Sequence, residues 1–494
     1  MKRNKLAPLL GILALLSVAC GGHAVVVFSQ EQAASLEAAD SGPAVDVGGK
    51  SGKGRGGPTQ DGGGPGTASA GLANCATTSN PDEGFTEDTL KIGTIMPLSG
   101  PLRPIAEQNL RVIRLTIQNA NRTVNIPGPL EYLNWGCPTR PGIFGRKIEL
   151  EVYSLQTTTP EEALAGMRRL IDVEKVFLVR DCYLQDSLMG PATQYQNSKG
   201  VPGVYCHAGS MPVPALAPWT FYPSTDPLTQ TAIHVGYLMN ILGRERLGVI
   251  ADPNDEDTLV ATVRRVAEHF DHPIPDSCVI LKRSQEAANG MRSEIARLRT
   301  CYNGQSPDAV FAGDALQAVF GALEAKSQGW RPADANVQWA CTNPTCWVIS
   351  LAEICGDACE GIITDCAALP CVPWADPADF PAVQNLRDTR ADLFPGEPED
   401  AATYGPAAIS GGIAYWLTMT GPDLSREKFR ATLDNLRDFS SGIGPVINIS
   451  PANHFGAYAI WLVEYLGGSP WFDDLSRGFV TIEDVGVPQS VVFG

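Results

Sequence analysis

The histidines, serines and cysteines are the residues of this chain that could carry chemistry, and their spacing does not predict an enzyme. The sequence contains neither the zinc-binding pattern HExxH nor the nucleophile pattern GxSxG. Residues 49–51 (GKS) match the end of a phosphate-binding loop, but Ala44 stands where that loop has its first glycine. Because no nucleophile lies at a known spacing from a base, we predict a non-enzymatic protein without a metal or cofactor. The six histidines are scattered, at His23, His207, His234, His269, His272 and His454.

The thirteen cysteines predict disulfide bonds in an oxidising compartment. Cys20 belongs to an N-terminal signal, and the remaining twelve form an even number. Three pairs of cysteines between residues 341 and 371 lie close together in the chain, and zinc binding is the alternative for them. None of these pairs has the two-residue spacing of a zinc knuckle, and no histidine lies among them. The pairing is open; we expect Cys182–Cys206 and Cys278–Cys301, where neighbouring strands and helices would bring the sulfur atoms together. The other candidates are the close pairs Cys341 and Cys346, Cys355 and Cys359, and Cys366 and Cys371, together with Cys75 and Cys137.

The N-terminus predicts export and attachment to a membrane through lipid. Lys2, Arg3 and Lys5 precede an apolar run over residues 6–19, which is too short to span a bilayer comfortably and fits a signal-peptide core. The sequence LSVAC, ending at Cys20, resembles the bacterial lipoprotein box, in which cleavage leaves the cysteine as the lipid-bearing first residue. An ordinary secretory signal with an incidental cysteine is the alternative. Since no later apolar run reaches spanning length, lipid is the only membrane attachment that we predict.

Composition limits the partners and separates a tether from the folded part. The net charge of −17 argues against nucleic acid, whose phosphates would be repelled. Glycine and proline fill fifteen of the thirty-one positions from residue 41 to 71, and such a segment cannot build a core. We therefore predict a signal peptide over residues 1–19, a flexible tether over residues 20–85 and a globular part from residue 86.

The globular part begins with a strand, a small polar turn and a helix. An apolar strand over residues 90–96 ends at Pro97, which has no N–H to donate to a sheet. Further along, Thr159, Pro160 and Glu162 predict the start of a helix, as its N-cap, its first residue and its capping-box glutamate. Strands alternating with helices predict an α/β fold with two doubly wound, Rossmann-like lobes. Besides the first, strands are predicted at 147–153, 176–179, 201–205, 247–251, 278–281, 309–312, 337–340, 361–364 and 457–463.

Several short motifs between about residues 86 and 465 occur in the order found in one known family. They are TEDTLKIG at 86–93, PLSGP at 97–101, GIFGRKI at 142–148, PEEA at 160–163, NSKGVP at 197–202 and GP at 444–445. Together they resemble the type I periplasmic substrate-binding proteins of ABC importers, specifically the branched-chain amino acid (Leu/Ile/Val) binding family. The resemblance implies two lobes joined by a three-stranded hinge, with the ligand enclosed between them. The first lobe would take residues 86–218 with about 375–440, and the second 219–374 with about 441–494.

The resemblance also implies where the first lobe contacts its ligand. The family holds the carboxylate of an amino acid with small hydroxyl residues and backbone N–H groups, which stabilise an anion without a buried countercharge. The loop HAGSMP at 207–212 mirrors the family's loop before a proline, so Ala208, through its backbone, and Ser210 are expected ligand contacts. Ser187 is a further candidate, and a helix N-cap is its alternative role. Ser99 and Gly100 are expected to line the cleft.

The second lobe departs from the family pattern at the residues that seat the ligand's ammonium group. The family's two tyrosines are absent, and Thr342 or Asn343 stands where the family has a glutamate. Asp257 and Asp314 could restore the negative charge, and helix capping is the alternative for both. A branched-chain amino acid is therefore not assumed as the ligand.

Taken together, the signal, the tether and the resemblance predict a lipid-anchored, extracytoplasmic solute-binding protein. It would capture a small polar solute, an amino acid or a related compound, and deliver it to the permease subunits of an ABC importer. The alternative is a ligand-sensing lipoprotein that feeds a membrane signalling receptor, since both functions need only ligand-driven closure of two lobes.

Overall fold

A computed structural model describes most of the chain from Cys75 onwards. No helix among these residues is both long and apolar enough to cross a bilayer. The described residues are 75–99, 103–122, 136–137, 140–157, 159–181, 186–205, 217–333, 336–342, 354–366, 391, 404–440, 442, 444–468 and 472–493.

Strands and helices alternate along the chain, as predicted. The strands are β1 (Thr89–Met96), β2 (Gly136–Cys137), β3 (Arg140–Ile143), β4 (Lys147–Ser154), β5 (Leu178–Asp181), β6 (Gly203–Tyr205), β7 (Thr220–Thr225), β8 (Leu247–Ala251), β9 (Val279–Leu281), β10 (Ala309–Ala312), β11 (Gln338–Cys341), β12 (Ile362–Cys366), β13 (Phe455–Ala457), β14 (Ala459–Tyr465) and β15 (Phe472–Thr481). The α-helices are α1 (Arg103–Arg122), α2 (Pro160–Arg168), α3 (Asp186–Ser198), α4 (Pro227–Gly236), α5 (Ala261–His269), α6 (Ser284–Ala287), α7 (Arg292–Leu298), α8 (Ala315–Ser327), α9 (Tyr404–Thr420), α10 (Arg426–Asp434) and α11 (Gln489–Phe493).

Two large sheets organise the fold. The first has six strands in the order β13-β7-β6-β5-β1-β4, and all its neighbouring strands pair in parallel. The second has seven strands in the order β15-β14-β12-β11-β10-β8-β9, parallel from β9 to β12 and antiparallel at β14 and β15. We call the part built on the first sheet the first lobe and the part built on the second sheet the second lobe. This is the predicted two-lobed α/β fold.

Local sequence signals account for the helix starts. The Thr159 hydroxyl accepts from the Glu162 N–H at 3.3 Å, with Pro160 as the first helical residue of α2. The Glu162 carboxylate reaches back to the N–H groups of Gln156 and Thr157, at 2.7 Å each, rather than to the N-cap itself. The bond from the Glu162 N–H satisfies one of the amide groups that a helix start leaves without partners, and the other two bonds hold the turn before α2. All three join residues at most six positions apart, so the start of α2 could be predicted from the sequence.

Aromatic side chains fill the core of each lobe. In the first lobe the Phe177 ring packs edge-on against Phe85 and Phe429, with centroids 5.9 and 5.7 Å away. In the second lobe Trp339 is fully buried and packs against Trp330 with centroids 6.0 Å apart. Burial of rings this large supplies much of the hydrophobic stabilisation of each lobe.

The end of the chain corrects one predicted strand. Residues 457–463 do not form a single strand: β13 ends at Ala457 in the first sheet, and β14 begins at Ala459 in the second. The strand β7, in which every residue is buried, was not predicted. An apolar run fits either sheet equally well, so the sequence does not show where the chain passes from one sheet to the other. The lobe boundaries at 218 and 374 stay predictions.

Candidate functional site

The carboxyl ends of the parallel strands are where an open α/β sheet binds ligands, and each lobe has such an edge. In the second lobe, extending the strand register by one or two residues places Ala251, Gly313, Thr342 and Asp365 in one row across this edge. In the first lobe the corresponding edge follows β1, β4, β5 and β6. The candidate site is the pair of edges.

Ser99 lies at the edge of the first lobe, but its hydroxyl is engaged within the protein. It donates to the backbone carbonyls of Leu155 at 2.9 Å and Gln156 at 3.2 Å, which ties the turn after β1 to the turn after β4. Its observed role is therefore to join these two turns, and its place in the lining of a ligand cleft stays a prediction. Ser187 lies in the first turn of α3. Gly100, Ala208 and Ser210 lie outside the described residues, so their ligand contacts stay predictions.

Asp314 and Asp257, which the sequence offered as replacements for a lost negative charge, differ in their roles. The Asp314 carboxylate accepts from the Gln317 N–H at 3.0 Å and caps α8, which is the alternative role left open by the sequence. Asp257 is not the N-cap of any described helix; it is an exposed residue inside the helical turn Glu256–Val260. The cap after β8 is Asp252, whose carboxylate accepts from the Asn254 N–H at 3.0 Å.

Asp255 was not predicted, and it lies close to the carboxylates of Asp252 and Asp314. Burial, followed by the nearby carboxylates of Asp252 and Asp314, raises the pKa of Asp255 to about 6. The folded state thus binds this proton more tightly than the unfolded chain, in which an aspartate titrates near pH 3.9. The stability contributed by the carboxyl therefore falls as the pH rises from about 4 to about 6.

Replacing Asp255 with asparagine should therefore stabilise the protein only where the carboxylate is ionised. We expect the melting temperature of Asp255→Asn to exceed that of the wild type by about 2 °C at pH 7 and to equal it at pH 4. Thermal unfolding followed by circular dichroism at the two pH values measures this difference. Asp257→Asn, which removes a carboxylate from an exposed position two residues away, is the matched control. An equal gain at both pH values for Asp255→Asn would contradict the assignment.

Thr342 is buried in the edge row and is linked to the first helix of the second lobe. Its hydroxyl donates to the Gln230 Oε1 at 3.4 Å, and Gln230 in turn donates to the backbone carbonyl of Thr225 at 2.8 Å. One turn later on α4, the His234 Nε2 lies 2.9 Å from the Asp365 carboxylate, and both side chains are buried. Asn343 lies outside the described residues.

Sequence reasoning missed Gln230, His234 and Asp365 as parts of this edge. A signal was present, because Gln230 and His234 lie four residues apart, on one face of a helix that starts at an Asp-Pro cap and carries no formally charged side chain apart from a possible histidinium. Their partners come from different parts of the second sheet: Thr342 follows β11 and Asp365 lies in β12. Only the folded chain therefore brings Gln230 to Thr342 and His234 to Asp365.

Three disulfides are formed between described cysteines. Cys278 is joined to Cys301, the pairing expected from the sequence. Cys355 is joined to Cys359, and Cys75 to Cys137. Cys341 is also disulfide-bonded, and Cys366 ends β12. Cys20, Cys182, Cys206, Cys346 and Cys371 lie outside the described residues.

Known structures share this two-lobed fold. A leucine-binding protein from Thermotoga maritima MSB8 is 15% identical with a TM-score of 0.62, over 80% of this chain and 100% of that chain. A fatty acid ABC transporter substrate-binding protein from Thermomonospora curvata is 17% identical with a TM-score of 0.63, over 84% and 97%. A solute-binding protein of an ABC transporter from Rhodopseudomonas palustris BisB5, in complex with 3,4-dihydroxybenzoic acid, is 17% identical with a TM-score of 0.60, over 80% and 98%.

At these identities the likeness establishes the fold alone. No curated protein matches the chain significantly. The sequence model of one family, described as periplasmic binding protein, matches residues 89–469, which is most of the chain. The matched span includes every strand of both sheets except the last, β15. Family and fold are those of solute-binding proteins, and the chain belongs to the family of periplasmic binding proteins.

Proposed function

We propose that this protein is a lipid-anchored, extracytoplasmic solute-binding protein that captures a small polar solute between its lobes and delivers it to the permease subunits of an ABC importer. The observation that carries the proposal is the presence of two sheets in a chain of the periplasmic binding protein family, each with a row of parallel strands whose carboxyl ends form one edge. The chain passes between the lobes at β7 to α4 and at β13 to β14. Such connections allow the lobes to close on a ligand.

The proposed solute is an amino acid or a related compound. Small hydroxyl residues and backbone N–H groups of the first lobe, among them Ser210 and Ala208, would hold its anionic group. Asp252, Asp255 and Asp314 give the edge of the second lobe a negative potential that favours a cationic group on the same solute. The solved structures of this fold carry names that refer to leucine, a fatty acid and a dihydroxybenzoic acid, so the fold itself does not select one chemistry.

The proposed anchor is lipid on Cys20, followed by the glycine-rich tether. Cys75 lies near the end of the predicted tether, and the disulfide Cys75–Cys137 fixes this point to the first lobe. The tether would therefore pull on the first lobe alone, leaving the second free to move. Metabolic labelling with a radioactive fatty acid tests the anchor, since Cys20→Ala should abolish the incorporation of label.

The proposed capture of a solute is tested by a thermal-shift screen of the tether-free protein. Amino acids, amides, small carboxylates and polyamines are screened, because a ligand that binds only the folded state stabilises it by RT ln(1 + [L]/Kd). At a hundred times the Kd the gain is about 2.7 kcal/mol, which is readily measured. Failure of every class to raise the melting temperature would contradict the proposal.

Ser210 should contribute to the affinity for the best solute in this screen. We expect Ser210→Ala to raise its Kd roughly tenfold, because a hydrogen bond to a charged group is lost. Isothermal titration calorimetry measures the change. Ser198→Ala is the matched control and should leave the Kd nearly unchanged, because Ser198 is exposed at the last residue of α3, away from the carboxyl edge, where its hydroxyl donates to the Tyr195 carbonyl at 2.7 Å. An unchanged Kd for Ser210→Ala would remove Ser210 from the site.

A further inference from the structure

The two described connections between the lobes form a short ribbon with an irregular centre. β7 and β13 pair in parallel, with Tyr222 opposite Phe455 and Thr225 opposite Ala457. Three steps along β7 thus match two steps along β13, so β7 carries one extra residue, a β-bulge. Within the bulge, Pro223 has no N–H to donate to the ladder. The regular pairing of the ribbon is therefore interrupted between its two ends.

On the side of the first lobe the ribbon is firmly held. The Tyr222 N–H donates to the His454 carbonyl at 2.9 Å, and the His454 Nδ1 lies 2.8 Å from the Thr220 carbonyl. The rings of Tyr222 and Phe455 stack with their centroids 4.8 Å apart. The ribbon up to this pair of rings therefore belongs to the first lobe.

On the side of the second lobe a chain of hydrogen bonds runs from Gln230 to the first connection and from there, through Thr225, to the second. Gln230 donates to the Thr225 carbonyl at 2.8 Å, and the Thr225 hydroxyl donates to the Ala459 carbonyl at 2.7 Å. Gln230 also accepts from the Thr342 hydroxyl at 3.4 Å. Gln230, Thr225 and Thr342 are each at most 4% exposed, so water competes little for these bonds.

We propose that Gln230 is a positioning residue that fixes both connections to the cleft wall of the second lobe, so that movement of the lobes bends the ribbon only at its bulge. Thr342 at the cleft, the helix α4, and the ends of both connections then move as one body. The bending is confined to the few residues between Tyr222 and Thr225 and to Gly456 opposite them. The assignment of this motion to ligand capture rests on the proposed function, whereas the location of the bend does not.

Removal of the Gln230 amide should loosen the connection between α4 and the ribbon. The lobes of the ligand-free protein would then adopt a wider range of relative orientations. Gln230→Met keeps the length of the side chain and removes both hydrogen bonds. Gln317→Met is the matched control, because Gln317 is equally buried, lies in the first turn of α8 and donates to the Lys282 carbonyl at 2.8 Å, at the end of β9.

Distances between two spin labels, measured by pulsed electron paramagnetic resonance, test the inference. The labels are attached to a ketone-bearing amino acid at the exposed positions Glu161 and Glu256, which leaves the cysteines untouched. We expect the distance distribution of Gln230→Met to be roughly twofold wider than that of the wild type, and that of Gln317→Met to be unchanged. Equal widths for all three proteins, or equal broadening in both variants, would overturn the inference.

A second variant keeps the test decisive where Gln230→Met does not fold. Thr225→Val removes only the hydroxyl that joins the two connections, and it should broaden the distribution in the same direction; an unchanged width would count against the inference. Because these distances are measured without a solute, they are independent of the thermal-shift screen. A negative screen would contradict the proposed function, whereas unchanged widths would contradict the role of Gln230.

Discussion

Replacement of Arg146 with methionine is expected to lower the free energy of unfolding by about 3 kcal/mol, the largest effect of any single side chain considered for the first lobe. The buried guanidinium donates to the carbonyls of Thr86 at 2.7 Å, Pro422 at 2.9 Å and Thr78 at 2.9 Å, and to the Thr78 hydroxyl at 2.9 Å. It also lies 5.2 Å from the centre of the Phe85 ring. Methionine would leave these acceptors without their charged donor.

Urea unfolding at pH 7 measures this loss. Burial, and then the charge of Arg140, lowers the pKa of Arg146 to about 10, so the guanidinium is still protonated at pH 7. Arg140→Met is the control, because Arg140 is more exposed and its partners are the Asp88 carboxylate and the Ala76 carbonyl, both at 2.6 Å. Arg140→Met should lower the free energy of unfolding by about 1 kcal/mol. Similar losses for the two variants would show that burial of the hydrogen bonds around Arg146 adds nothing to the free energy of unfolding.

Removal of the disulfide Cys75–Cys137 is expected to cost about 4 kcal/mol of stability. The bond closes a loop between cysteines 62 positions apart, so its loss restores much conformational freedom to the unfolded chain. The bond Cys355–Cys359 joins cysteines only four positions apart and should be worth about 2 kcal/mol by the same argument. The short loop therefore provides an internal comparison.

Urea unfolding of the two double alanine variants, Cys75→Ala with Cys137→Ala and Cys355→Ala with Cys359→Ala, gives both values. Near-ultraviolet circular dichroism checks that each variant keeps its native tertiary packing. Loss of stability in the reverse order would mean that packing around the sulfur atoms, rather than loop closure, decides the contribution of each bond.

These two predictions concern the same part of the molecule, the chain that enters the first lobe from the tether. The disulfide holds Cys75, the Ala76 N–H donates to the Phe144 carbonyl at 2.8 Å, and Arg146 holds Thr78. Three attachments within four residues give the tether a firm point of attachment. If lipid on Cys20 anchors the chain, this point transmits the anchor's pull to the first lobe, which leaves closure of the second lobe unhindered.

Much of the fold could be predicted because its signals are local. The strands at 247–251 and 309–312 are found with the predicted bounds, since each is a short apolar run between polar turns. Thr159 caps α2 as predicted, because a capping bond is made within three residues. The disulfide Cys278–Cys301 was also expected, from neighbouring elements in one strand–helix series.

The candidate site could be predicted less well, because its residues come from distant parts of the chain. Asp314 was predicted either to replace a lost ligand contact or to cap a helix; its bond to the Gln317 N–H shows the cap, and its contact with a ligand stays a prediction. The link between Gln230 and Thr342 joins residues 112 positions apart, and no pattern within either segment points to the other. Whether a polar residue at a strand end faces a ligand, a helix or another strand depends on neighbours that only folding supplies.

The sequence by itself determined the α/β class, the two strand–helix series, the exported and cysteine-rich character, and the family likeness, since each follows from composition or from residues close together in the chain. Only the tertiary structure decided that β13 and β14 belong to different sheets, that Arg146 joins three segments of the first lobe, and that Gln230 ties the cleft wall to both connections. The physical reason is that apolar burial and helix capping act over a few residues, whereas sheet membership and buried hydrogen bonds are settled by packing between distant segments.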